Sequence, residues 1–355
     1  MRKYYTRPCN FYYGNYAKKL IKKKLALSLT GNPQIAFDHI EIFQRKAKRS
    51  VKQDIYPISN IKKFNNELRS QINVDLKNIT SKRKNICGLK FNKTQIMGIL
   101  NVTPDSFSDG GLFFNEFEAY NQADLMIKDG ATIIDIGGES TRPGSKTVNE
   151  KEEWKRIENI IFNLKKKFRK IPLSLDTRKS YVMKKGIEKG ISIINDVSGL
   201  NYDKKSFNLI NSKKIPFVLH HMQGTPNTMQ SNPKYNDALL DIFDFFEKKI
   251  NFCLSKKYKK EMIILDPGIG FGKNMKHNIT LLRNISLFHS LGYPLLVGTS
   301  RKRFIRDISN NNDSKKRYGG TISSCLYLMM QGVQFLRVHD LNEVKQAMKT
   351  FKALY

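Results

Sequence analysis

Polar and ionisable side chains recur in this sequence at the points where short apolar runs end. If the runs are strands of one sheet, these side chains meet at one edge and could do chemistry together. They are Asn101, Asp135 with Glu139, Asp176, Asn195 with Asp196, His220 with His221, Asp266, Ser300 with Arg301 and Lys302, and Arg337 with His339.

Four of these groups suit a flat, polar ring. Asp176 and Asp266 supply two carboxylates. Asn195 supplies an amide and Lys302 a cation. Together they offer the mixed acceptors and donors that the edge of an amino-oxo heterocycle, such as a fused pterin ring, requires. One such aspartate alone could be a helix cap or an ion-pair partner, but four converging groups favour a binding site.

The cations suggest a place for an anion. Arg337 and His339 alternate along the last apolar run, so both side chains point to the same face of a strand. Arg301 and Lys302 follow the seventh run, near the usual phosphate position of a barrel. A bidentate arginine, a histidine and a nearby helix start would hold a diphosphate.

Two other motifs carry less chemistry. Residues 268–273, GIGFGK, lack the spacing of a nucleotide-binding phosphate loop and predict a tight strand-to-helix turn that brings Phe271 against a ligand. His220 and His221 are adjacent, so on a strand they would point to opposite faces, and no third His or Cys partner is evident. We therefore predict a structural or pocket-lining role for the pair.

Eight short apolar runs must position these side chains. Helix-patterned stretches separate them, which predicts parallel βαβ units. Eight such units in about 260 residues match a closed (β/α)8 TIM barrel, an α/β fold. The runs are residues 95–100, 132–136, 171–175, 191–194, 216–219, 262–265, 294–297 and 335–338.

The 355-residue chain carries a net charge of +32, divided unevenly. Residues 1–93 hold 22 Lys and Arg against 5 Asp and Glu, a net +17, and residues 94–355 hold 41 against 26, a net +15. Such charge attracts polyanions. Lys-rich and Asn-rich runs occur in both halves, however, and no RNA-binding or zinc-finger pattern is present. A compositional bias is the favoured interpretation, and no nucleic-acid partner is predicted.

Cysteine spacing and hydropathy bear on location. The four cysteines are far apart and form neither a CxxC motif nor a regular framework. No uninterrupted apolar stretch approaches the ~20 residues of a membrane span. The simplest interpretation is a cytoplasmic protein without a membrane partner. An organelle transit peptide in the first 37 residues, which contain no acid, is a minor alternative.

The basic N-terminal extension, residues 1–93, shows no alternation of predicted strands, turns and helices. It contains no motif that indicates its role. Its many aromatic side chains exceed what a disordered tail usually has, so we predict a small packed appendage. Residues 60–85 indicate a linker or an exposed helix. The catalytic barrel is expected over residues 94–355. The aromatic residues are Tyr4, Tyr5, Phe11, Tyr12, Tyr13 and Tyr16.

Two connections, residues 101–115 and 137–150, are longer than is usual in barrels and are where mobile, site-closing loops would lie. Residues 97–111 read MGILNVTPDSFSDGG, and residues 135–144 read DIGGESTRPG. Both patterns resemble the two signatures of the dihydropteroate synthases. The resemblance continues through DT at 176, NDVS at 195, HMQG at 221, DPGIGFG at 266, GTSRK at 298 and RVH at 337, and spans residues 94 to about 350.

The resemblance implies a pterin-binding transferase of folate biosynthesis. The amine of 4-aminobenzoate would displace diphosphate from (7,8-dihydropterin-6-yl)methyl diphosphate, giving 7,8-dihydropteroate. We favour a dissociative route, because the electron-rich pterin can stabilise a cationic methylene and no side-chain nucleophile is required. Magnesium as the cofactor and a homodimer formed through barrel helices are also implied.

The resemblance assigns roles to individual residues. The pterin would contact Asp176, Asn195, Asp266, Phe271 and Lys302, and the diphosphate would contact Asn101, Thr141, Arg337 and His339. The aminobenzoate would lie between the two loops, against Phe107, Thr141, Arg142 and Pro143. Asn101 would contact Mg²⁺, and the catalytic residues would be Asp176, Lys302, Arg337 and His339. Arg303 stands where a Ser is often found, which leaves recognition of the aminobenzoate carboxylate open.

Two other functions remain open at this stage. A pterin-binding methyltransferase domain would share the Asp and Asn contacts. It would have no need of the STRPG segment of the second loop or of the cations Arg337 and His339. An RNA-binding protein on an inactive barrel would use the basic N-terminal extension, but the polar groups at all eight strand ends argue against it.

Overall fold

The computed structural model describes residues 2–46, 51–103, 112–140, 144–145 and 147–354, with the side chains of residues 112–115 outside that description. The chain first forms an N-terminal unit, residues 2–93, and then a barrel. The elements of the N-terminal unit are β1 (Tyr4–Tyr13), α1 (Gly14–Lys22), β2 (Leu27–Leu29), β3 (Asn32–Arg45), β4 (Val51–Pro57) and α2 (Asn66–Thr80).

The strands of the N-terminal unit form an antiparallel sheet that the sequence analysis did not predict. β3 is central and pairs with β1 along one side and with β2 and β4 along the other. β1 is therefore an edge strand. Such a position tolerates Pro8, because proline has no N–H to donate to a neighbouring strand.

Helix α2 packs on this sheet. The side chain of Asn65 caps it by accepting a hydrogen bond from the Leu68 N–H at 3.0 Å. Ile72 and Ile79 lie on its inner face and are fully buried in the small core of the unit. The segment 66–80 is thus a helix with an exposed outer face and a packed inner face, so of the two predicted alternatives the linker is wrong and the helix is found.

Eight parallel strands form the barrel, which confirms the predicted fold class. In the sheet their order is β10-β9-β8-β7-β6-β5-β12-β11. The ring closes where Leu265 of β10 bridges Leu295 beside β11. The strands are β5 (Gln95–Asn101), β6 (Ile133–Gly137), β7 (Leu173–Asp176), β8 (Ile193–Asp196), β9 (Phe217–His220), β10 (Ile263–Asp266), β11 (Leu296–Val297) and β12 (Phe335–Val338).

Helices cover the outside of the strands. Ile157 and Leu164 of α4 and Phe243 and Phe246 of α7 are fully buried against the barrel wall. The helices of the barrel are α3 (Leu112–Lys128), α4 (Glu150–Lys167), α5 (Ser180–Glu188), α6 (Ser206–Lys213), α7 (Ala238–Ser255), α8 (Met275–Arg283), α9 (Arg303–Ser309), α10 (Tyr318–Met330) and α11 (Leu341–Ala353). Among the described residues, none of the helices is both long and apolar enough to cross a membrane.

An apolar plug closes the amino ends of the strands. Phe91 lies edge-on to Phe335, with 5.1 Å between the ring centroids. Ile86 belongs to the same buried cluster, together with Met97 and Ile264 from inside the barrel. Because this end is filled with apolar side chains, polar chemistry is confined to the opposite end, where the strands stop.

The N-terminal unit is fastened to the outside of the barrel. Tyr5 packs edge-on against Phe243 of α7 at 5.2 Å between centroids, and its hydroxyl donates to Asp244 at 2.8 Å. Arg45 donates to Asp241 and Asp244 of the same helix at 3.0 and 3.1 Å. The contact combines a buried aromatic pair with charged hydrogen bonds, so the unit is an integral part of the packed structure.

Candidate active site

The carboxyl ends of the strands bring the predicted polar groups together. Asp176 ends β7, Asn195 lies in β8 and Asp266 ends β10. Their residue exposures are only 5 %, 2 % and 5 %. Arg337 of β12 reaches the same place and, with Asn195 and Asp266, lines a small cavity at the mouth of the barrel. Charged groups at this depth require partners, and the network between them defines the site.

Asp135 is the hub of that network. Its Oδ2 atom accepts hydrogen bonds from Arg337 Nε at 2.6 Å and from Asn195 Nδ2 at 2.9 Å. The same guanidinium donates from Nη2 to Asp176 Oδ2 at 2.8 Å. The sequence marked Asp135 as a strand-end aspartate but gave it no role. Its importance depends on which strands are neighbours, because Arg337 is 202 residues away along the chain.

Three buried oxygens of this network have no hydrogen-bond partner among the described residues. They are the Oδ1 atoms of Asp135, Asp176 and Asn195. A buried acceptor without a donor costs about 1–3 kcal/mol. Native proteins rarely tolerate several such atoms together unless a ligand or water satisfies them. The three oxygens can therefore accept hydrogen bonds from the N–H groups of a bound molecule.

Burial raises the pKa values of both site aspartates. The pKa of Asp176 rises to about 7 because burial and the neighbouring carboxylates, Asp135 first among them, outweigh the attraction of Arg337. The pKa of Asp266 rises to about 6, also through burial, although the Gly268 N–H and nearby cations oppose the shift. Perturbed carboxyl groups of this kind are concentrated at functional sites.

Lys302 and Phe271 form one wall of the cavity. The Lys302 ammonium lies 4.2 Å from the centroid of the Phe271 ring, and it donates to the carbonyl of Ile269 at 2.6 Å. Burial lowers the pKa of Lys302 to about 8, with Asp266 opposing that shift. Phe271 also lies edge-on to His220 at 4.7 Å. The wall therefore offers an aromatic surface beside a cation with spare donor capacity.

The turn after β10 positions Phe271. Gly268 has a φ of +67°, and a Cβ atom there would lie 2.0 Å from the carbonyl oxygen of His221. Only glycine fits this position. The Gly268 N–H donates to Asp266 Oδ1 at 2.7 Å, and the Phe271 N–H returns to the Gly268 carbonyl at 3.0 Å. The segment is thus a tight turn and holds the Asp266 carboxylate and the Phe271 ring on the same cavity.

Of the two adjacent histidines, His220 lines the cavity and His221 lies beside Lys273. His220 Nδ1 is 3.0 Å from the carbonyl oxygen of Val197, and His221 Nδ1 is 3.0 Å from Lys273 Nζ. Burial and the Lys273 charge push the pKa of both imidazoles well below its usual value. No group of three His, Cys, Asp or Glu that could hold a metal ion occurs in the described part of the chain.

The cations predicted to hold an anion are divided between two places. Arg337 lies inside the carboxylate network. Arg301 donates in bidentate fashion to Asp340 at the start of α11. His339 lies nearby, with its Nδ1 atom 3.1 Å from Ser300 Oγ. His339 and Ser300 therefore lie close to a charge-paired arginine, whereas Arg337 lines the cavity itself.

A buried carboxylate fastens both ends of the second long loop. Glu139 follows β6, and its Oε1 atom accepts from the Val148 N–H at 2.9 Å. Arg178 donates to Glu139 from Nε and Nη2 at 3.1 and 3.3 Å, and Lys179 Nζ lies 3.1 Å from Glu139 Oε1. We call these four groups the loop clamp. Burial opposes ionisation, but Arg178, the Val148 N–H and Lys179 keep the pKa of Glu139 below its usual value.

The loop clamp extends into α4. Lys179 also donates to Glu153, a helix residue with no exposed surface. Arg178 adds a hydrogen bond to Thr147 Oγ1 at 3.1 Å and lies 4.1 Å from the ring centroid of Tyr202. The sequence analysis named Glu139 only as a strand-end residue. Its partners follow a different strand, so local patterns could not reveal the pairing.

The loop tips themselves fall outside the described residues. Phe107, Thr141, Arg142 and Pro143 belong to this part of the chain. Asn101 is described: it ends β5 beside Gly137 of β6. A Cβ atom on Gly137 would lie 3.7 Å from Asn101 Oδ1 and 3.8 Å from Asp176 Cγ, so both oxygen-bearing side chains flank this glycine.

Comparison with known proteins places the chain in a family. The sequence model of the family described as pterin binding enzyme matches residues 97–339. Dihydropteroate synthase of Synechocystis sp. is 42% identical over 263 residues, which cover 74% of this chain and 91% of that protein. The chain belongs to the dihydropteroate synthase family. The family predicted from the two loop signatures is thereby confirmed.

Further members of the family agree. Dihydropteroate synthase of Escherichia coli (strain K12) is 41% identical and covers 75% of this chain and 93% of its own length. In the crystal structure of the Yersinia pestis dihydropteroate synthase with a sulfonamide drug complex, the protein is 41% identical in sequence to this chain. The two structures match with a TM-score of 0.71, over 75% of this chain and 96% of that one. The Xanthomonas albilineans enzyme with 4-aminobenzoic acid is 34% identical, also with a TM-score of 0.71, covering 75% of this chain and 94% of that one.

Proposed function

We propose that the mouth of the barrel binds the pterin ring of (7,8-dihydropterin-6-yl)methyl diphosphate and joins its methylene to 4-aminobenzoate. The chain is a dihydropteroate synthase, a transferase of folate biosynthesis that forms 7,8-dihydropteroate and diphosphate. The observation that carries the assignment of the site is the set of buried oxygens on Asp135, Asp176 and Asn195 that have no partner among the described residues and lie near the Lys302 ammonium.

The edge of a dihydropterin matches these groups. The ring presents an amino group and ring N–H groups as donors, and a carbonyl and ring nitrogens as acceptors. The Oδ1 atoms of Asp176 and Asn195, with the carboxylate of Asp266, would accept from the donors. Lys302 would donate to an acceptor, and Phe271 would cover part of the ring. The Oδ1 atoms of Asp176 and Asn195 then gain the partners that they lack among the described residues.

Binding requires side chains to move. The free volume between the cavity residues is about 20 Å³, far below the ~300 Å³ at which ligand pockets begin. Lys302 and Arg337 both line this cavity and are long, flexible side chains. Lys302 would leave the Ile269 carbonyl for the pterin, while Arg337 turns toward the methyl diphosphate.

The chemistry needs charge stabilisation more than a nucleophile. The bond between the methylene carbon and the diphosphate oxygen breaks, and the bonding electrons leave with the diphosphate. The pterin ring, next to the buried carboxylates of Asp176 and Asp266, would stabilise the resulting cation. The aniline nitrogen then forms the new C–N bond and loses a proton to diphosphate or water.

Arg337, His339 and Thr141 would hold the diphosphate, with Asn101 beside them. Asp135 and Asp176 engage the Nε and Nη2 atoms of Arg337. Because a guanidinium carries five N–H donors, its Nη1 group can donate to the diphosphate. Mg²⁺ fits this place, since it prefers oxygen ligands and usually binds through few protein groups plus phosphate. Asn101 Oδ1, which flanks Gly137 with the Asp176 carboxyl group, would hold it. The ion supplies positive charge that neutralises the leaving group.

The aminobenzoate would lie between the two long loops, against Phe107, Thr141, Arg142 and Pro143. An aromatic side chain and a proline can enclose a benzene ring, and an arginine can pair with a carboxylate. The loop clamp supports this assignment indirectly, because it fastens residues 139 and 148 on either side of residues 141–143.

We also propose that the protein is a cytoplasmic homodimer. Light scattering would measure its mass in solution.

Purified protein with the pterin diphosphate, Mg²⁺ and 4-aminobenzoate tests the function directly. We expect diphosphate and 7,8-dihydropteroate to form in equal amounts. Omission of 4-aminobenzoate should stop dihydropteroate formation. Absence of product with all three components, from protein whose circular dichroism shows a folded barrel, would overturn the proposal.

A further inference from the structure

A second cavity lies between the N-terminal unit and the amino ends of the barrel strands. Its volume is about 330 Å³, within the range of small-molecule sites. Its walls come from the first turn of α1, the start of β3, residues 92–94, the end of α10 and α11. We call it the junction cavity. Thr94 of this wall directly precedes β5, whose far end carries Asn101, so the cavity lies at the opposite end of the barrel from the pterin site.

The floor of the junction cavity is apolar. Ile35 comes from β3, Met329 and Met330 from the end of α10, and Phe351 from α11. Met329 is 8 % exposed, and the other three are partly buried. Methionine and aromatic side chains favour flat apolar groups, because the polarisable thioether adapts to an aromatic ring. The floor therefore suits a ring or a similarly flat hydrocarbon.

Three lysines also line the junction cavity. Lys18 of α1, Lys93 before the barrel and Lys352 of α11 all line the cavity, whose wall includes no Asp or Glu. The first turn of α1, which also faces the cavity, has no acidic residue. None of the ion pairs found within the described residues includes these three lysines.

Two of the lysines repel each other. Lys352 is an exposed residue of the cavity wall, and its pKa is lowered first by partial desolvation and then by the charge of Lys93. An anion between them would remove this repulsion and stabilise both ammonium groups. Within the described residues, the cavity thus combines three lysines that have no acidic partner with an apolar floor.

We propose that the junction cavity binds a small organic anion, a carboxylate or a phosphate monoester, on a flat apolar body. The anionic group lies between Lys93 and Lys352, and the body lies on Met330 and Phe351. Because the walls belong to both units, bound ligand stabilises their contact by mass action.

Calorimetric titration with four probes tests the ligand class. 2-Naphthoate and 1-naphthyl phosphate carry both the charge and the flat body, and comparing them distinguishes carboxylate from phosphate. 2-Naphthalenemethanol lacks the charge, and inorganic phosphate lacks the body. We expect one or both of the anions to bind at least ten times more tightly than either control. Equal affinity for the alcohol would contradict the proposal, and so would equal affinity for inorganic phosphate.

Variants that remove the same charge at different positions test whether the probe binds in the junction cavity. In the double variant Lys93→Gln/Lys352→Gln the Kd of the better probe should rise at least tenfold. The control Lys90→Gln/Lys349→Gln removes the same charge from neighbouring positions that do not line the cavity, and it should change Kd less than twofold. Met330→Trp, which fills the cavity and keeps every charge, should also abolish binding. An equal loss in the control, or binding that survives Met330→Trp, would overturn the proposal.

An Asp176→Asn variant separates this site from the pterin site. Probe binding should be unchanged in it, because Asp176 lies at the other end of the barrel. Loss of binding there would mean that the probe occupies the pterin site, and the proposal would fail. The outcome is independent of dihydropteroate synthesis, since it needs neither substrate nor turnover.

Discussion

Arg337 Nε lies 2.6 Å from Asp135 Oδ2. This hydrogen bond links β12 to β6 across β5, the strand that lies between them in the sheet. Asp135 has no exposed surface, and the same oxygen accepts from Asn195. The guanidinium of Arg337 donates to two carboxylates, from Nε to Asp135 and from Nη2 to Asp176 at 2.8 Å. Asp135 is therefore what places Arg337 against Asp176, and with it the geometry of the whole site.

Replacement of Asp135 should damage both stability and catalysis. Asp135→Asn removes one of the two charges that compensate Arg337, so we expect the free energy of unfolding to fall by about 3 kcal/mol, as when one partner of a buried ion pair is lost. We expect kcat/KM to fall by at least tenfold. Urea unfolding and steady-state kinetics measure the two effects. Asp54→Asn, at an exposed pair with Lys52, is the control and should change neither; the idea fails if both variants behave alike.

The raised pKa of Asp266 predicts a stability that depends on pH. The folded-state pKa is about 6, above the ~4 of an unfolded aspartate, so between these values the folded protein binds the extra proton. The contribution of Asp266 to stability is therefore lost as the pH rises from about 4 to about 6. Between these two pH values, the free energy of unfolding of the wild type should fall by on the order of 3 kcal/mol relative to that of Asp266→Asn. Urea unfolding at pH 4.5, 5.5 and 6.5 measures the difference, and a constant difference would contradict the assignment.

The loop clamp should control the second substrate more than the first. Glu139→Gln removes the charge that Arg178 and Lys179 share, which loosens both ends of the loop that carries Thr141, Arg142 and Pro143. We expect KM for 4-aminobenzoate to rise about tenfold, on the order of 1.4 kcal/mol, with the Kd for the pterin diphosphate unchanged. Glu152→Gln, at an exposed pair on α4, is the matched control. A parallel change in both substrates would indicate general structural damage.

The N-terminal unit and the barrel should unfold together. Tyr5 is fully buried between them, so Tyr5→Ala should cost about 3–5 kcal/mol through the lost contact with Phe243 and the hydrogen bond to Asp244. Tyr16→Ala, with 57 % of the residue exposed, should cost little. Circular dichroism during urea unfolding should show one transition for both variants. Two separate transitions would mean that the units are independent.

The sequence predicted the barrel because its strands are buried on both faces and therefore read as apolar runs. It also predicted that Asp176, Asn195, Asp266 and Lys302 meet, with Arg337 beside them for an anion, since parallel strands end at a common edge. It could not predict that Arg337 binds Asp135, because that contact depends on strand order and on the direction of a long side chain.

The N-terminal sheet was missed for a different reason. β1 contains Pro8 and Asn10, the latter with a φ of +55°, and these residues read as loop signals. Pairing with the long strand β3 overrides them, and β1 lies at the edge of the sheet, where proline is tolerated. Strand formation there depends on residues about 30 positions away, such as Phe37 opposite Phe11, which no local pattern reveals.

We expect the buried oxygens at the strand ends to bind the pterin ring. The most direct measurement is the Kd of (7,8-dihydropterin-6-yl)methyl diphosphate for the wild type and for Asp176→Asn, by calorimetry with Mg²⁺ present. Binding should be at least a hundredfold weaker in the variant, because the amide cannot supply the negative charge that orients Arg337 and accepts from the ring. Equal affinity in a folded Asp176→Asn protein would contradict it.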